Sequence, residues 1–347
     1  MIFLILTLIA IACIGIHRRP INDENWFRKE ETDVVKGFFI CWVIISHALT
    51  FVPHESSCWT TSFARVVNSG LGQLMVVPFF FISGYGVGES IRCKGISYVR
   101  SIPAKRILPI LINFDVAVCC YSIWFYLTYG YVPMARFAFA LIDWTSIGQP
   151  NWYVFVILCC YIFAFVAALI CRRPGWLCAL FVFMYSILMS FAKNDIHWHN
   201  TVMSFPAGML FSEYKDKIEL VVRNRWTVLS LALLVLFVGS FAAPWRLCGI
   251  KYNCRGIIFA ILIAILMHRF CVRSIFLHWA GLNLFPLYLY HLLPMRFLPK
   301  PSASGGVIFT LFSFAITSAL VLFYQRFKFT GTKVLNATAT TKSISQN

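Results

Sequence analysis

Apolar runs near twenty residues long recur along this chain, and no other property limits its fold so tightly. A helix rises about 1.5 Å per residue and the hydrocarbon core of a bilayer is about 30 Å thick, so such runs read as membrane spans. Eleven candidates stand near 2–16, 37–53, 72–91, 107–129, 152–171, 176–192, 200–212, 226–243, 256–270, 278–298 and 305–325. The first and seventh are short for a full crossing. The expectation is therefore an all-α, polytopic integral membrane helix bundle with about 10–11 transmembrane helices. With 60% of the 347 residues hydrophobic and only 12% charged, lipid is the solvent of most of the chain.

The first run has no Lys or Arg ahead of it and Arg18-Arg19 just behind, the pattern of a retained anchor rather than a cleaved signal. Alternate connecting segments (17–36, 92–106, 172–173, 213–225, 268–273 and the tail from 326) hold 22 of the 30 Lys and Arg residues. Positive segments stay in the cytoplasm, so an odd span count with a cytoplasmic C-terminus fits best, in the inner or plasma membrane of the cell. The net charge of +17 is thus mostly topological, with a minor share for membrane lipid headgroups or the phosphates of a coenzyme. Nucleic acid is not among the expected partners.

The 13 cysteines show neither a CxxC pair nor metal-ligand spacing and read as small apolar packing, with no metal site expected. Cys248 and Cys254 form the one pair placed for a disulfide, in an oxidising compartment. Residues 1–330 read as one membrane domain, and 331–347, rich in Thr, Ser and Asn, as a disordered cytoplasmic tail.

Chemistry concentrates in a few motifs. Asp33-Val-Val-Lys36-Gly37 opens a run that carries His47. Eleven helical steps of about 100° return to within about 20° of the starting direction, so Lys36 and His47 share a face about 16 Å apart. An ionisable group in a span is costly and usually faces a bundle interior or a wet cavity, and imidazole is suited to general-base work near neutral pH. Further on come Pro78-Phe-Phe-Phe-Ile-Ser83-Gly84-Tyr, the basic stretch Tyr98-Val-Arg100-Ser-Ile-Pro103-Ala-Lys105-Arg106-Ile-Leu-Pro109, Asn151-Trp152-Tyr153, and Leu287-Tyr-Leu-Tyr290-His291. Asp115 lies inside the fourth run and wants a partner there.

In this order and spacing the motifs resemble the acyltransferase 3 family of integral-membrane acyltransferases. That family carries an Arg-Gly at an early helix entrance with a His eleven residues after the Arg, an FFFxSG segment, an RxxRIxP pattern, a Trp-aromatic helix start and a late IYLxH. Here Lys36 stands in place of the Arg, and Pro103 in place of the first Arg of RxxRIxP, with Arg100 or Lys105 left to supply that charge. The resemblance implies an O-acyltransferase, most simply an O-acetyltransferase, with no tightly bound cofactor and with acyl-coenzyme A as co-substrate. The acceptor would be the hydroxyl of a surface glycan or lipid-linked sugar. Expected roles are His47 as base with Asp115 orienting it, and Lys36, Arg100, Lys105 and Arg106 as donor-binding cations. Ser83, Trp152, Tyr290 and His291 are expected as acceptor contacts or supports. On this reading the pantetheine arm threads a cavity along the face of residues 36, 40, 43 and 47, bringing the thioester to an imidazole near mid-depth. A flippase of polyisoprenoid-linked sugars, or a non-catalytic homologue, would share the spans, the aromatics and the basic inner face.

Overall fold

The protein is described from a computed structural model, in residues 1–19, 26–53, 59–193, 195–242, 248–302 and 304–327, less the side chains of residues 59, 60 and 248. The expected tail at 331–347 lies outside the described residues.

In chain order the elements are α1 (Ile2–Ile14), β1 (Ile16–Arg18), α2 (Lys29–Phe51), α3 (Trp59–Leu71), α4 (Val77–Ile102), α5 (Leu108–Tyr129), α6 (Met134–Leu141), α7 (Trp152–Ile170) and α8 (Gly175–Ala192). There follow α9 (Ser204–Glu213), α10 (Lys215–Ala242), α11 (Cys248–Arg269), β2 (Phe270–Val272), α12 (Ile275–Leu282), α13 (Leu284–Tyr290), α14 (Leu292–Phe297) and α15 (Gly306–Phe327). The protein is thus a multi-pass membrane helix bundle. Seven helical stretches among the described residues are long and apolar enough to cross a bilayer. One of them, Thr61–Tyr129, runs 69 residues and holds two of the expected spans. It passes without a gap from α3 to α5 through a 3-10 turn at Gly72–Val76 and a π turn at Pro103–Ile107.

The expected runs at 2–16 and 200–212 appear as α1, of 13 residues, and α9, of 10, each too short to cross alone. The run at 278–298 is broken into α12, α13 and α14. Pro286 and Pro294 each fall in the first turn of the helix that follows the break, where a missing N–H costs nothing. The sheet, too small to read from the sequence, pairs β1 with β2 antiparallel and ties the end of α1 to the end of α11. Cys248 and Cys254 both lie on α11. Six helical steps rise about 9 Å, beyond the reach of about 7 Å between disulfide-linked Cα atoms, so the expected bridge does not fit.

Two glycine crossings hold the centre together. At Gly37 the backbone of α12 comes so close to α2 that a Cβ would collide with the Leu277 carbonyl, and on Gly281 one would collide with the Asp33 carbonyl. Gly84 on α4 meets the backbone of Phe205, while Gly208 on α9 meets that of Phe81. Helices in lipid gain from packing rather than from hydrophobic exclusion, so small residues mark their tightest contacts. The glycines of two sequence motifs are therefore packing devices. Gly86, two residues further along α4, faces open space.

Candidate functional site

Helix α2 is the central element: residues 39 to 45 are all buried, with Ile40 0% and Val43 4% exposed. It begins at Lys29 rather than near 37, so in a helix of 23 residues His47 lies about 27 Å from the start and about 6 Å from the end at Phe51. The imidazole thus stands about one turn from the end of α2, far from its charged start. His47 and Ser46 are half-buried and Thr50 is exposed, so the site opens at this corner. Ile40 and Val43 are packed into apolar core, so the expected continuous cavity from Lys36 to His47 is closed along that face.

At this corner His47 Nδ1 lies 2.5 Å from Nε2 of His291, with the rings stacked at 4.8 Å. His291 is fully buried, at the break between α13 and α14, and its Nδ1 lies 2.7 Å from the Tyr288 carbonyl. Proton positions follow from this network. A carbonyl only accepts, so His291 Nδ1 carries a proton and its Nε2, in the neutral ring, is an acceptor. His47 Nδ1–H therefore donates to His291, and His47 Nε2 is left with a bare lone pair. That is the state a general base needs.

His291, expected as an acceptor contact or support, stands beside His47 in the place where Asp115 was expected. Asp115 is half-buried on α5 with no hydrogen-bond partner for its Oδ1. The acidic group it bears on is Asp143, not the histidine pair. Asp143 is fully buried at a positive φ of 60° and accepts the Phe155 N–H at 2.6 Å, capping the start of α7. Burial holds its carboxyl well above the usual carboxylate range, and Asp115 adds to the effect.

Two titratable groups bear on His47, and the sequence singled out neither. Arg296, in α14, donates Nε–H to the Gly148 carbonyl at 2.8 Å and lies 5.0 Å from the Trp124 ring. Its positive charge acts on both His47 and His291. The only clue in the sequence is a lone cation five residues after His291 in an apolar run. The other group is His197, whose ring and backbone N–H both bond to the Asp195 carboxylate. That hydrogen bond holds Asp195 below its ordinary range. Trp152, the first residue of α7 as expected, packs tilted against His197 with ring centroids 5.7 Å apart, while Lys193 sits 3.6 Å from the Trp144 ring and 4.3 Å from Trp198. Tyr290, next to His291 in sequence, faces away and packs on Tyr324 at 5.7 Å.

The expected donor cations belong to the opposite half of the bundle. Lys36 Nζ lies 2.6 Å from Asp33 Oδ1, an ion pair within α2. Arg100, Lys105 and Arg106 are exposed around the π turn, and Pro103 occupies its first position. Arg106 neighbours Tyr98 and Tyr161, and Ser83 neighbours the Tyr161 hydroxyl. On this side a cleft of ≈ 650 Å³ is lined by Arg92, Val99, Arg172, Arg173, Glu213 and Asp216, among others.

Residues 30–326 match a family model described as an acyltransferase domain. No curated protein and no solved structure matches the chain.

Proposed function

The chain belongs to the acyltransferase 3 family, which makes it a membrane acyltransferase for groups other than aminoacyl groups, and we propose that it moves an acyl group, most simply acetyl, from acyl-coenzyme A to a hydroxyl of a surface glycan or lipid-linked sugar. The observation that carries this reading is the histidine pair, in which one ring fixes the tautomer of the other. His47 Nε2 takes the proton of the acceptor hydroxyl as its oxygen attacks the thioester carbonyl. The tetrahedral intermediate collapses with cleavage of the C–S bond. The leaving thiolate recovers the proton from the His47 imidazolium, giving an ester and free thiol.

His291 stabilises that imidazolium by accepting its Nδ1–H, and Arg296 supplies fixed positive charge near the developing oxyanion. The imidazolium gains from His291 and the oxyanion from Arg296, whose positive charge works against the imidazolium itself. Trp152, half-buried and packed against His197, offers a flat apolar face for a sugar ring near the half-open corner at Ser46 and His47. The donor's phosphates belong with the cations of the other half, at Lys36, Arg100, Lys105 and Arg106 or in the cleft at Arg92, Arg172 and Arg173. Since Ile40 and Val43 close the direct face, the thioester reaches His47 by parting that packing or from the Ser46 side.

The test is thiol release from acetyl-coenzyme A by purified protein with a membrane glycan extract as acceptor. His47→Ala should lower the rate by about 10²- to 10⁴-fold, the usual worth of a general base. Activity retained within a few-fold of the unsubstituted protein would remove His47 from this role.

A further inference from the structure

His197 belongs to a single 3-10 turn, Ile196–Trp198, between α8 and α9, and the acyl-transfer step above makes no use of it. The turn is tied down from behind. Trp198 is buried, with its ring 5.7 Å from Trp144 and 5.2 Å from Phe155. The His199 carbonyl accepts from Ser186 Oγ at 3.1 Å and from Asn253 Nδ2 at 2.9 Å. In front, Asp195 caps the turn, its Oδ1 taking the His197 backbone N–H at 3.0 Å and the ring Nδ1–H. Lys193 donates to the Trp144 carbonyl at 3.0 Å instead. Asp195 Oδ2 and His197 Nε2 therefore make no hydrogen bond among the described residues, and the two side chains are 53% and 45% exposed. The Trp152 ring lies beside them, its centroid 5.7 Å from that of His197.

Capping the turn needs only Oδ1, and an ion pair as exposed as this one adds little to stability. What remains is a pair of unused polar atoms held beside a flat aromatic ring. A pyranose matches that set: it has an apolar C–H face for an indole and hydroxyls around its edge. A carboxylate accepts a hydroxyl proton more strongly than a neutral oxygen does, and the hydrogen bond from His197 keeps Asp195 ionised. With Nδ1–H given to Asp195, Nε2 of the neutral His197 ring accepts from the next hydroxyl along. His197 also bears on His47, which puts the turn within electrostatic range of the base. We propose that Trp152, Asp195 and His197 form the subsite that seats the acceptor, a pyranose whose two adjacent free hydroxyls meet Asp195 Oδ2 and His197 Nε2 while another is left for acylation. This rests on the acyltransferase reading above and narrows its acceptor.

The experiment is saturation-transfer NMR on the purified full chain in a polyoxyethylene detergent, which brings no sugar of its own. The probes are the methyl pyranosides of glucose, galactose, mannose and N-acetylglucosamine. At least one should bind saturably, and its fully O-methylated form, which keeps the apolar face but has no proton to donate, should bind about tenfold more weakly or worse. Asp195→Asn, which keeps an oxygen for the turn cap, and Trp152→Ala should each cost a similar factor, with Trp152→Phe recovering most of the loss. His47→Ala should bind the sugar like the unsubstituted chain, so the subsite is read without turnover. In the thiol-release assay with the same sugar, Asp195→Asn should raise KM for the acceptor and leave KM for acetyl-coenzyme A unchanged. If Trp152→Ala does not fold, Asp195→Asn and the O-methylated sugar decide. Saturable binding by none of the four probes, binding undiminished by O-methylation, or full affinity in Asp195→Asn would each overturn the subsite. Binding as expected but without thiol release would support the sugar site and count against the acyltransferase reading alone.

Discussion

Replacing His291 with Leu should slow acyl transfer about tenfold while leaving the base itself in place. The magnitude comes from the hydrogen bond that His47 Nδ1 makes to His291 Nε2 at 2.5 Å. Between neutral rings such a bond is worth about 0.5–1.5 kcal/mol net, and once His47 becomes imidazolium it is worth about 1.5–3 kcal/mol. The difference of about 1–1.5 kcal/mol acts on the barrier, and about 1.36 kcal/mol is a factor of ten in rate. The assay is thiol release from acetyl-coenzyme A at saturating donor, with the pH profile of kcat followed alongside. His291→Gln should recover much of the loss, because its side-chain carbonyl can accept the same proton, whereas a packing defect would not be repaired by an amide. The double variant His47→Ala/His291→Leu should be no slower than His47→Ala alone, since the two rings act as one unit. If His291→Leu ran within twofold of the unsubstituted protein while His47→Ala was inactive, the tautomer argument would be refuted. Losses that multiplied in the double variant would refute it equally.

Gly84→Ala should destabilise the protein by about 1–3 kcal/mol or more, because its Cβ meets the Phe205 backbone, whereas Gly86→Ala should leave the Tm in detergent unchanged. Equal effects at the two glycines would contradict the crossing geometry. Asp143→Asn should gain stability relative to the unsubstituted protein as pH climbs above about 4. Burial lifts the folded carboxyl above its unfolded value of about 3.9, so the native state favours the proton and loses stability as pH rises between the two values. A Tm difference that is flat across that range would mean Asp143 is not held protonated. Arg106→Ala, or Arg172→Ala with Arg173→Ala, should raise KM for acetyl-coenzyme A about tenfold or more with little change in kcat, as lost phosphate contacts do. Turnover that collapsed at constant KM would take the donor phosphates away from that half.

Much of the fold was legible in the sequence because membrane spans are written in composition. Each of the eleven expected runs contains helix, and His47 was found through the cost of an ionisable group in an apolar helix. Lys36 and His47 share one continuous helix, as eleven-residue spacing requires. What the sequence could not carry is where an element starts and which other chain segment meets it. The seven residues from Lys29 to Val35, five of them charged or polar, belong to α2, although they look like a connecting loop, so His47 lies near the end of its helix and not at its middle. The proton-fixing partner of His47 is 244 positions away, and its own partner is a backbone carbonyl that carries no sequence signature. Asp115 drew notice for the right physical reason, an unpaired carboxyl in a span. Its acidic neighbour Asp143 drew none, because it falls in a loop and is buried only by the helices around it.

The two histidines differ in the backbone that holds them, and that difference suits their tasks. His47 rides on an unbroken helix clamped through Gly37 against α12, so Nε2 is held in a fixed direction toward the open corner. His291 stands where the tenth expected span is interrupted ahead of Pro294, its backbone N–H still bonded to the Leu287 carbonyl at 3.1 Å. Breaking the helix there lets its side-chain Nδ1 reach the Tyr288 carbonyl, a group that in a continuous helix would be taken by the N–H four residues on. The same break turns Arg296 toward Gly148 and the histidine pair rather than out to lipid. A straight tenth span would supply apolar packing alone. The interrupted one brings an acceptor for His47 and a fixed positive charge to the end of α2, which is why irregular backbone at this depth is found facing a site and not the bilayer.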